Sequence, residues 1–301
     1  MHLNSENITR FAPSPTGHLH LGHILSMAFV YGIAEKQNAK VLLRIEDHDK
    51  ERCKEEYVES ILKDIEWLGL LPNNWDDIQT KGKEHLYRQS FRTERYKKAL
   101  AELNLTGETY HCHCSRAEIL SRTNALSSKN EELYYDGLCR TENFQSGLVR
   151  MVMPSKELVF MDGIQGKCIQ NPSMQCGDML LVDRMQNYTY NFAVVVDDIY
   201  DKINVIIRGV DLLSCTARQN YLRDKLGSVE VPLFFHHPLI LDSQGQKLSK
   251  RLKSTGIASL REAGMKPAEV LGLAFHQAGI IESIQPIDKS KLSPLCQVAL
   301  P

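Results

Sequence analysis

No stretch of this sequence approaches the ~20 consecutive apolar residues of a membrane-crossing helix, so no transmembrane span is expected. Residues Met1 to Asn7 are polar and lack the apolar core of an export signal, and a cytoplasmic protein is expected. An excess of either charge is also missing: Lys plus Arg number 36, Asp plus Glu 37, and the net charge is −1. A broad basic face for neutralising phosphates is therefore not expected, and that work falls to local clusters such as Lys247, Lys250, Arg251 and Lys253. There is no internal repeat and no low-complexity tract, which excludes solenoids and disordered arrays. No Ser-His-Asp pattern stands out. Of the eight cysteines, Cys53, Cys168, Cys176, Cys215 and Cys296 are scattered and read as reduced thiols; Cys112, Cys114 and Cys139 form a group.

What is present is ample for a packed protein. The chain has 301 residues, 43% hydrophobic and 24% charged, which allows roughly two domains of ~150 residues. Ile8 to Ala12 reads as a short buried strand, and apolar spacing from Gly22 to about Lys36 reads as an amphipathic helix. A second strand is expected at Lys40 to Ile45, with helices over Glu51 to Leu68 and Glu84 to Leu103. From Glu108 to Cys176 short strand-like runs, Leu148 to Met153 and Leu158 to Met161, stand among Pro, Gly and Ser, which suggests an inserted subdomain. Main-sheet strands are expected to resume at Met179 to Val182, Phe192 to Val196 and Val205 to Ile207. A helix at Leu213 to Leu226, a strand-like Leu239 to Leu241 and a helix at Pro267 to Ala278 complete the reading. The fold class expected is α/β.

The chain is organised around Arg10-Phe11-Ala12-Pro13-Ser14-Pro15-Thr16-Gly17-His18-Leu19-His20-Leu21-Gly22-His23. Pro13, Pro15 and Gly17 force a tight crossing from strand to helix. His20 and His23 then lie at a helix N-terminus, where unpaired backbone N–H groups and the helix dipole attract phosphate. Glu46 and Asp47 follow the second strand and point toward the crevice where open α/β sheets bind ligands. Late in the chain, Lys247-Leu248-Ser249-Lys250-Arg251 puts two lysines three apart around a serine, a pattern able to wrap a polyphosphate. Tyr190-Asn191-Phe192-Ala193-Val194-Val195-Val196-Asp197-Asp198 reads by itself as a buried strand ending in solvated aspartates, and Ile207-Arg208-Gly209 follows it. Cys112, Cys114, Tyr135 and Cys139 have the spacing C-x-C-x₂₀-Y-x₃-C. Three thiolates and one further ligand would complete a tetrahedral zinc site, with Tyr135, His111 or His113 as the fourth; reduced thiols in a small subdomain are the alternative.

The Arg10–His23 run resembles the HIGH signature of class I aminoacyl-tRNA synthetases, in the RFAPSPTG form of the glutamyl branch. Lys247 to Arg251 looks like the KMSKS loop of the same enzymes, and the Tyr190 and Arg208 segments resemble the branch's YNFAVVVDD and IRG-x-D. This resemblance implies a class I synthetase-type Rossmann catalytic domain in two halves, residues 1–107 and 177–253, around an inserted α+β subdomain at 108–176. It implies ATP binding by His20, Gly22, His23, Lys247, Ser249 and Lys250, with His20, His23 and Lys250 catalytic and Mg²⁺ accompanying ATP. It implies a glutamate site of Arg10, Phe11, Ala12, Pro13, Ser14, Glu46, Tyr190 and Arg208, with Glu46 on the α-amino group. Independently of any name, a dicarboxylate amino acid needs arginine for its side chain and an acid for its ammonium. Zinc on Cys112, Cys114, Tyr135 and Cys139 is likewise implied.

Only residues 254–301 follow the lysine loop, and a short helical segment with no anticodon-binding domain is expected there. That resembles the glutamyl-queuosine branch of the family. The branch implies activation of L-glutamate with ATP and transfer to the queuosine base in the anticodon of tRNA(Asp), by a monomer without membrane contact. The alternatives are a truncated glutamyl-tRNA synthetase charging the tRNA 3′ end, and a non-catalytic paralogue that binds glutamate, ATP or RNA.

Overall fold

The computed structural model describes residues 6–49, 51–81, 87–123, 133–228, 230–241 and 256–298. The chain begins with β1 (Asn7–Phe11), α1 (Leu21–Lys36), β2 (Ala39–Leu43), α2 (Glu55–Leu68), α3 (Trp75–Lys81) and α4 (Thr93–Asn104). It continues with β3 (Thr109–Cys112), α5 (Arg116–Thr123), β4 (Leu148–Met151), β5 (Leu158–Asp162), β6 (Gly166–Gln170), α6 (Pro172–Cys176) and β7 (Met179–Val182). It ends with α7 (Tyr190–Tyr200), β8 (Val205–Gly209), α8 (Thr216–Lys225), β9 (Leu233–His237), α9 (Ile257–Glu262), α10 (Pro267–Gln277) and α11 (Leu292–Val298). Among the described residues no helix is long and apolar enough to cross a membrane.

Two parallel pairs form the centre. β1 runs beside β2, from Asn7 opposite Ala39 to Phe11 opposite Leu43. β8 runs beside β9, from Val205 opposite Leu233 to Gly209 opposite His237. Asn204 joins the pairs: Ile8 N donates to Asn204 Oδ1 at 2.8 Å, and Asn204 N donates to Ile8 O at 3.1 Å. The order in space is β2, β1, β8, β9, β5, β6, with β6 antiparallel. The strand order reverses at β1, which has β2 on one side and β8 on the other, so the crevice at the carboxyl ends of β1 and β8 is the switch point where doubly wound sheets hold ligands.

The reading of α1 as amphipathic is corrected. Ile24, Leu25, Met27, Ala28, Phe29, Val30, Ile33 and Ala34 are all buried, because α10 and α11 pack against α1 as well as the sheet. Each of the larger side chains among them, Ile, Leu, Met, Phe or Val, contributes roughly 1.5–3 kcal/mol by leaving water. Gly32 admits α11, since a Cβ there would meet Cys296 Sγ at 2.7 Å and Leu292 O at 2.8 Å.

Four strand expectations are also corrected. Phe192 to Val196 is not a strand but the middle of α7, buried throughout. A five-residue apolar run with three valines carries no period that separates strand from buried helix, and packing between α4, α8 and the inserted sheet decides for helix. Met179 to Val182 is a strand, but β7 pairs with β4 (Met179 opposite Met151) in a separate antiparallel sheet of order β3, β4, β7. Conversely β5 and β6, placed by the sequence in the insertion, belong to the main sheet, where Asp162 pairs with Phe234. Partner choice is set by tertiary register, which runs this short do not carry. Among the described residues the last strand is Leu233–His237 rather than Leu239–Leu241, and the helix expected from Glu84 is described from Thr93, after a 3-10 turn over Gln89–Phe91.

Candidate active site

The sequence builds the first wall. β1 ends at Phe11, and the Pro13–Gly17 crossing delivers His20 as the cap of α1. Gly22 N donates to His20 Nδ1 at 3.1 Å, and His20 N donates to His23 Nδ1 at 3.1 Å. Each imidazole uses Nδ1 as an acceptor, which puts the proton of its neutral form on Nε2. The rings lie 3.9 Å apart, and a Cβ on Gly22 would crowd His20 Cε1 at 3.0 Å. No acidic residue stands in the first turn of α1, so its positive dipole end is not neutralised from within the helix.

A cavity of about 590 Å³ opens here, within the size range of small-molecule sites. Its wall gathers Arg10, Phe11, Ala12, Pro13, Ser14, Glu46, Tyr190 and Arg208 together with His20, Gly22 and His23. Lys247, Ser249 and Lys250 lie outside the described residues.

Arg208, at the end of β8, is buried among neutral acceptors. Its Nε donates to His236 Nε2 at 3.0 Å, Nη1 to Gln219 Oε1 at 2.7 Å and Nη2 to Thr216 Oγ1 at 2.9 Å. No ion pair to Arg208 exists among the described residues. Arg10 differs, since its Nε donates to Asp198 Oδ1 at 3.0 Å. Glu46 Oε1 accepts from Arg44 Nη2 at 3.2 Å. Burial pushes the Glu46 carboxyl upward, and the nearby Arg44, the largest of the opposing influences, offsets only part of that. The same burial pushes the Tyr190 phenol up to about 12.

Asp197 and Asp198 are not solvated, as the isolated segment suggested, but fully buried. Asp198 Oδ1 also accepts from Arg44 Nη1 at 2.7 Å. Asp197 Oδ2 accepts from Gln89 Nε2 and Tyr96 Oη, both at 2.8 Å. These acids hold the arginines that approach the cavity from behind. Sequence reasoning also missed Asp162, Thr216, Gln219 and His236. The available signal was an acid at the carboxyl end of a strand, Asp162, the same signal that marked Glu46.

The cysteine group converges in the inserted subdomain. Sγ atoms of Cys112, Cys114 and Cys139 all lie within 4.8 Å of one another, and no imidazole nitrogen joins the cluster among the described residues. Tyr135 Oη is 3.3 Å from Cys112 Sγ and 3.6 Å from Cys114 Sγ, and Cys114 and Cys139 Sγ are 3.5 Å apart. A tetrahedron with ~2.3 Å zinc–sulfur bonds spaces its sulfurs by about 3.8 Å, so this donor set fits the ion. His113 is turned away, with Nε2 on Ser146 O at 2.8 Å and its ring stacked on Phe144. Arg122 Nη2 reaches Cys114 Sγ at 3.5 Å, an outer contact of the kind that supports ligand thiolates.

A parallel sheet with its crevice at a histidine-capped helix is the class I synthetase fold. The family of tRNA synthetases class I (E and Q), catalytic domain, matches residues 7–283, and the chain belongs to it. It is 36% identical over 289 residues to the glutamyl-Q tRNA(Asp) synthetase of Nitratidesulfovibrio vulgaris, covering 92% of this chain and 88% of that one. It is 40% identical over 269 residues to the glutamate–tRNA ligase of Lawsonia intracellularis. The chain spans about half, 55%, of the length of that ligase and of the 36% identical ligase of a Sulfurihydrogenibium species. The crystal structure of the glutamate–tRNA synthetase of Elizabethkingia anophelis superposes with a TM-score of 0.79 at 25% identity, over 99% of this chain and 67% of that one.

Proposed function

We propose that the chain activates L-glutamate with ATP and transfers the glutamyl group to a tRNA. The observation that carries this reading is one cavity holding a buried cation among neutral partners, Arg208, together with a buried acid, Glu46. A guest suited to both has an anionic end and an ammonium. Arg208 and Arg10 would take the side-chain carboxylate, Glu46 the α-ammonium, and Tyr190 would line the path between them. Ala12 and Ser14 with Phe11 and Pro13 would form the floor.

ATP with its Mg²⁺ would lie along His20, Gly22 and His23, phosphates toward the first turn of α1. With Nδ1 engaged, Nε2–H is the group each imidazole has to offer. Lys247 and Lys250 would bring cations, and Ser249 a hydroxyl, to the same phosphates. A carboxylate oxygen of glutamate attacks the α-phosphorus, the bond to the bridging oxygen breaks, and pyrophosphate leaves. The step depends on alignment and charge stabilisation rather than on a base.

The acceptor we assign is the queuosine base of tRNA(Asp), the RNA in the name of the Nitratidesulfovibrio relative, along 88% of which the chain aligns. A hydroxyl of the base's cyclopentenediol would attack the adenylate carbonyl and release AMP. Charging of a tRNA 3′ end is the second reading, favoured by the glutamate–tRNA ligases at 36% and 40% identity. Zinc on Cys112, Cys114, Tyr135 and Cys139 would serve structure, clamping the inserted sheet.

The test is glutamate-dependent exchange of labelled pyrophosphate into ATP. Exchange with glutamate and not with glutamine or aspartate supports the reading. Absence of exchange with every amino acid would overturn it in favour of a binding-only protein.

A further inference from the structure

Behind Arg208 lies a buried pair that the catalytic scheme does not use. His236 and Asp162 are both fully buried, and His236 Nδ1 lies 2.6 Å from Asp162 Oδ2. Asp162 is itself fixed, because its Oδ1 accepts from Ile164 N and Gln165 N at 2.9 Å each. The other imidazole nitrogen, Nε2, faces Arg208 Nε at 3.0 Å. A guanidinium N–H only donates, so Nε2 must accept, and the single proton of a neutral imidazole must then sit on Nδ1 and point at Asp162. The geometry admits one tautomer and excludes the imidazolium, whose second N–H would confront that of Arg208.

We infer that His236, oriented by Asp162, is the positioning residue that holds the Arg208 guanidinium while leaving its charge for an anionic guest. The inference rests on the glutamate reading given above. Arg208 has five N–H groups, and Nε, Nη1 and Nη2 each give one to His236, Gln219 and Thr216. One N–H remains on each Nη. Thr216 Oγ1 lies 3.3 Å from His236 Nε2, so both acceptors occupy the same Nε–Nη2 edge of the fork. A carboxylate in place of His236 would hold the same edge but neutralise the cation. A lone pair on a neutral ring holds it without doing so. The role is therefore one of selectivity: a charged side-chain carboxylate is favoured over a neutral carboxamide because the positive charge is not already matched.

Three substitutions separate positioning from mere filling of space. The side chain of Asn extends only as far as Nδ1 of His, whereas that of Gln extends as far as Nε2. His236→Asn should keep the Asp162 contact and lose Arg208; His236→Gln should keep an acceptor on Arg208 and lose Asp162. Asp162→Asn puts an amide donor against Nδ1, which drives the imidazole proton to Nε2 and against Arg208. Glutamate KM in pyrophosphate exchange, Kd for L-glutamate by calorimetry and thermal melting are measured on the full chain. His236→Asn and Asp162→Asn should raise KM and Kd on the order of tenfold or more, the scale of one hydrogen bond to a charged group, with kcat within about twofold. Selectivity over glutamine should fall in proportion, and His236→Gln should remain near wild type in KM although it melts lower. Equal effects of His236→Asn and His236→Gln, or an Asp162→Asn protein that melts lower with unchanged KM and Kd, would overturn the inference. Wild-type protein that binds glutamate without exchange would overturn the activity reading alone, and the calorimetric arm would still decide this one. Wild-type protein that binds no glutamate would overturn both.

Discussion

Arg44 Nη1 donates to Asp198 Oδ1 at 2.7 Å, and the two residues stand 154 positions apart in the sequence. The bond ties the exit of β2 to α7 and sets the back of the cavity. Because Arg10 Nε donates to the same oxygen at 3.0 Å, one carboxylate orients two cations. Removing a buried partner leaves the others uncompensated, so Asp198→Asn should cost on the order of 3–5 kcal/mol. Burial acts to raise the Asp198 pKa, but Arg10, Arg44 and Arg223 outweigh it and hold the value down from 3.8 to about 2. A carboxyl with a lower pKa folded than unfolded gives stability that is complete above the unfolded value and lost as pH falls through the folded one. Acid unfolding of the wild type followed by circular dichroism should therefore show this loss between about pH 4 and about pH 2, and Asp198→Asn should lack that component.

Glu46 should behave in the opposite way. Burial is the largest influence on it and raises its pKa, so the ionised form is held at a cost to the fold. Glu46→Gln should leave thermal stability unchanged or slightly higher, while glutamate KM in pyrophosphate exchange rises by roughly tenfold or more through loss of the ammonium partner. Parallel melting and kinetics check the split.

His20 has two jobs that one substitution separates. Its Nδ1 accepts from Gly22 N as a helix cap, a contact worth about 1 kcal/mol that asparagine also provides. Asparagine has no counterpart of Nε2–H. His20→Asn should melt close to wild type and lose exchange activity by roughly a hundredfold, whereas His20→Ala should lose both.

Metal content tests the cysteine cluster. Zinc should be present at one per chain by elemental analysis, and Cys139→Ser or Tyr135→Phe should lower that stoichiometry or its resistance to a chelator. Stripping the metal should lower the melting temperature, because a closed four-ligand site contributes directly to folding. A chain purified without zinc and indifferent to added zinc would remove the metal from the account.

Much of this was readable in the residues. The Arg10–His23 stretch announced a strand, a forced turn and a helix start because Pro and Gly act locally. Glu46 was legible because an acid directly after a strand has few other places to go. Phe192 to Val196 misled, since Phe-Ala-Val-Val-Val favours a strand locally and only burial on all sides makes it helical. Asp197 and Asp198 looked like solvated ends because their arginine partners are distant in sequence. His236 was silent for the same reason: its Asp162 partner is 74 positions away, and its role exists only where β5 and β9 lie side by side.

The central claim, glutamate activation followed by transfer to an anticodon base, is tested most directly by incubating the protein with ATP, labelled glutamate and purified tRNA(Asp), with and without queuosine. The account expects label on the queuosine-containing tRNA alone, retained after the 3′-terminal nucleotides are removed. Label on queuosine-free tRNA, or label lost with the 3′ end, would contradict it.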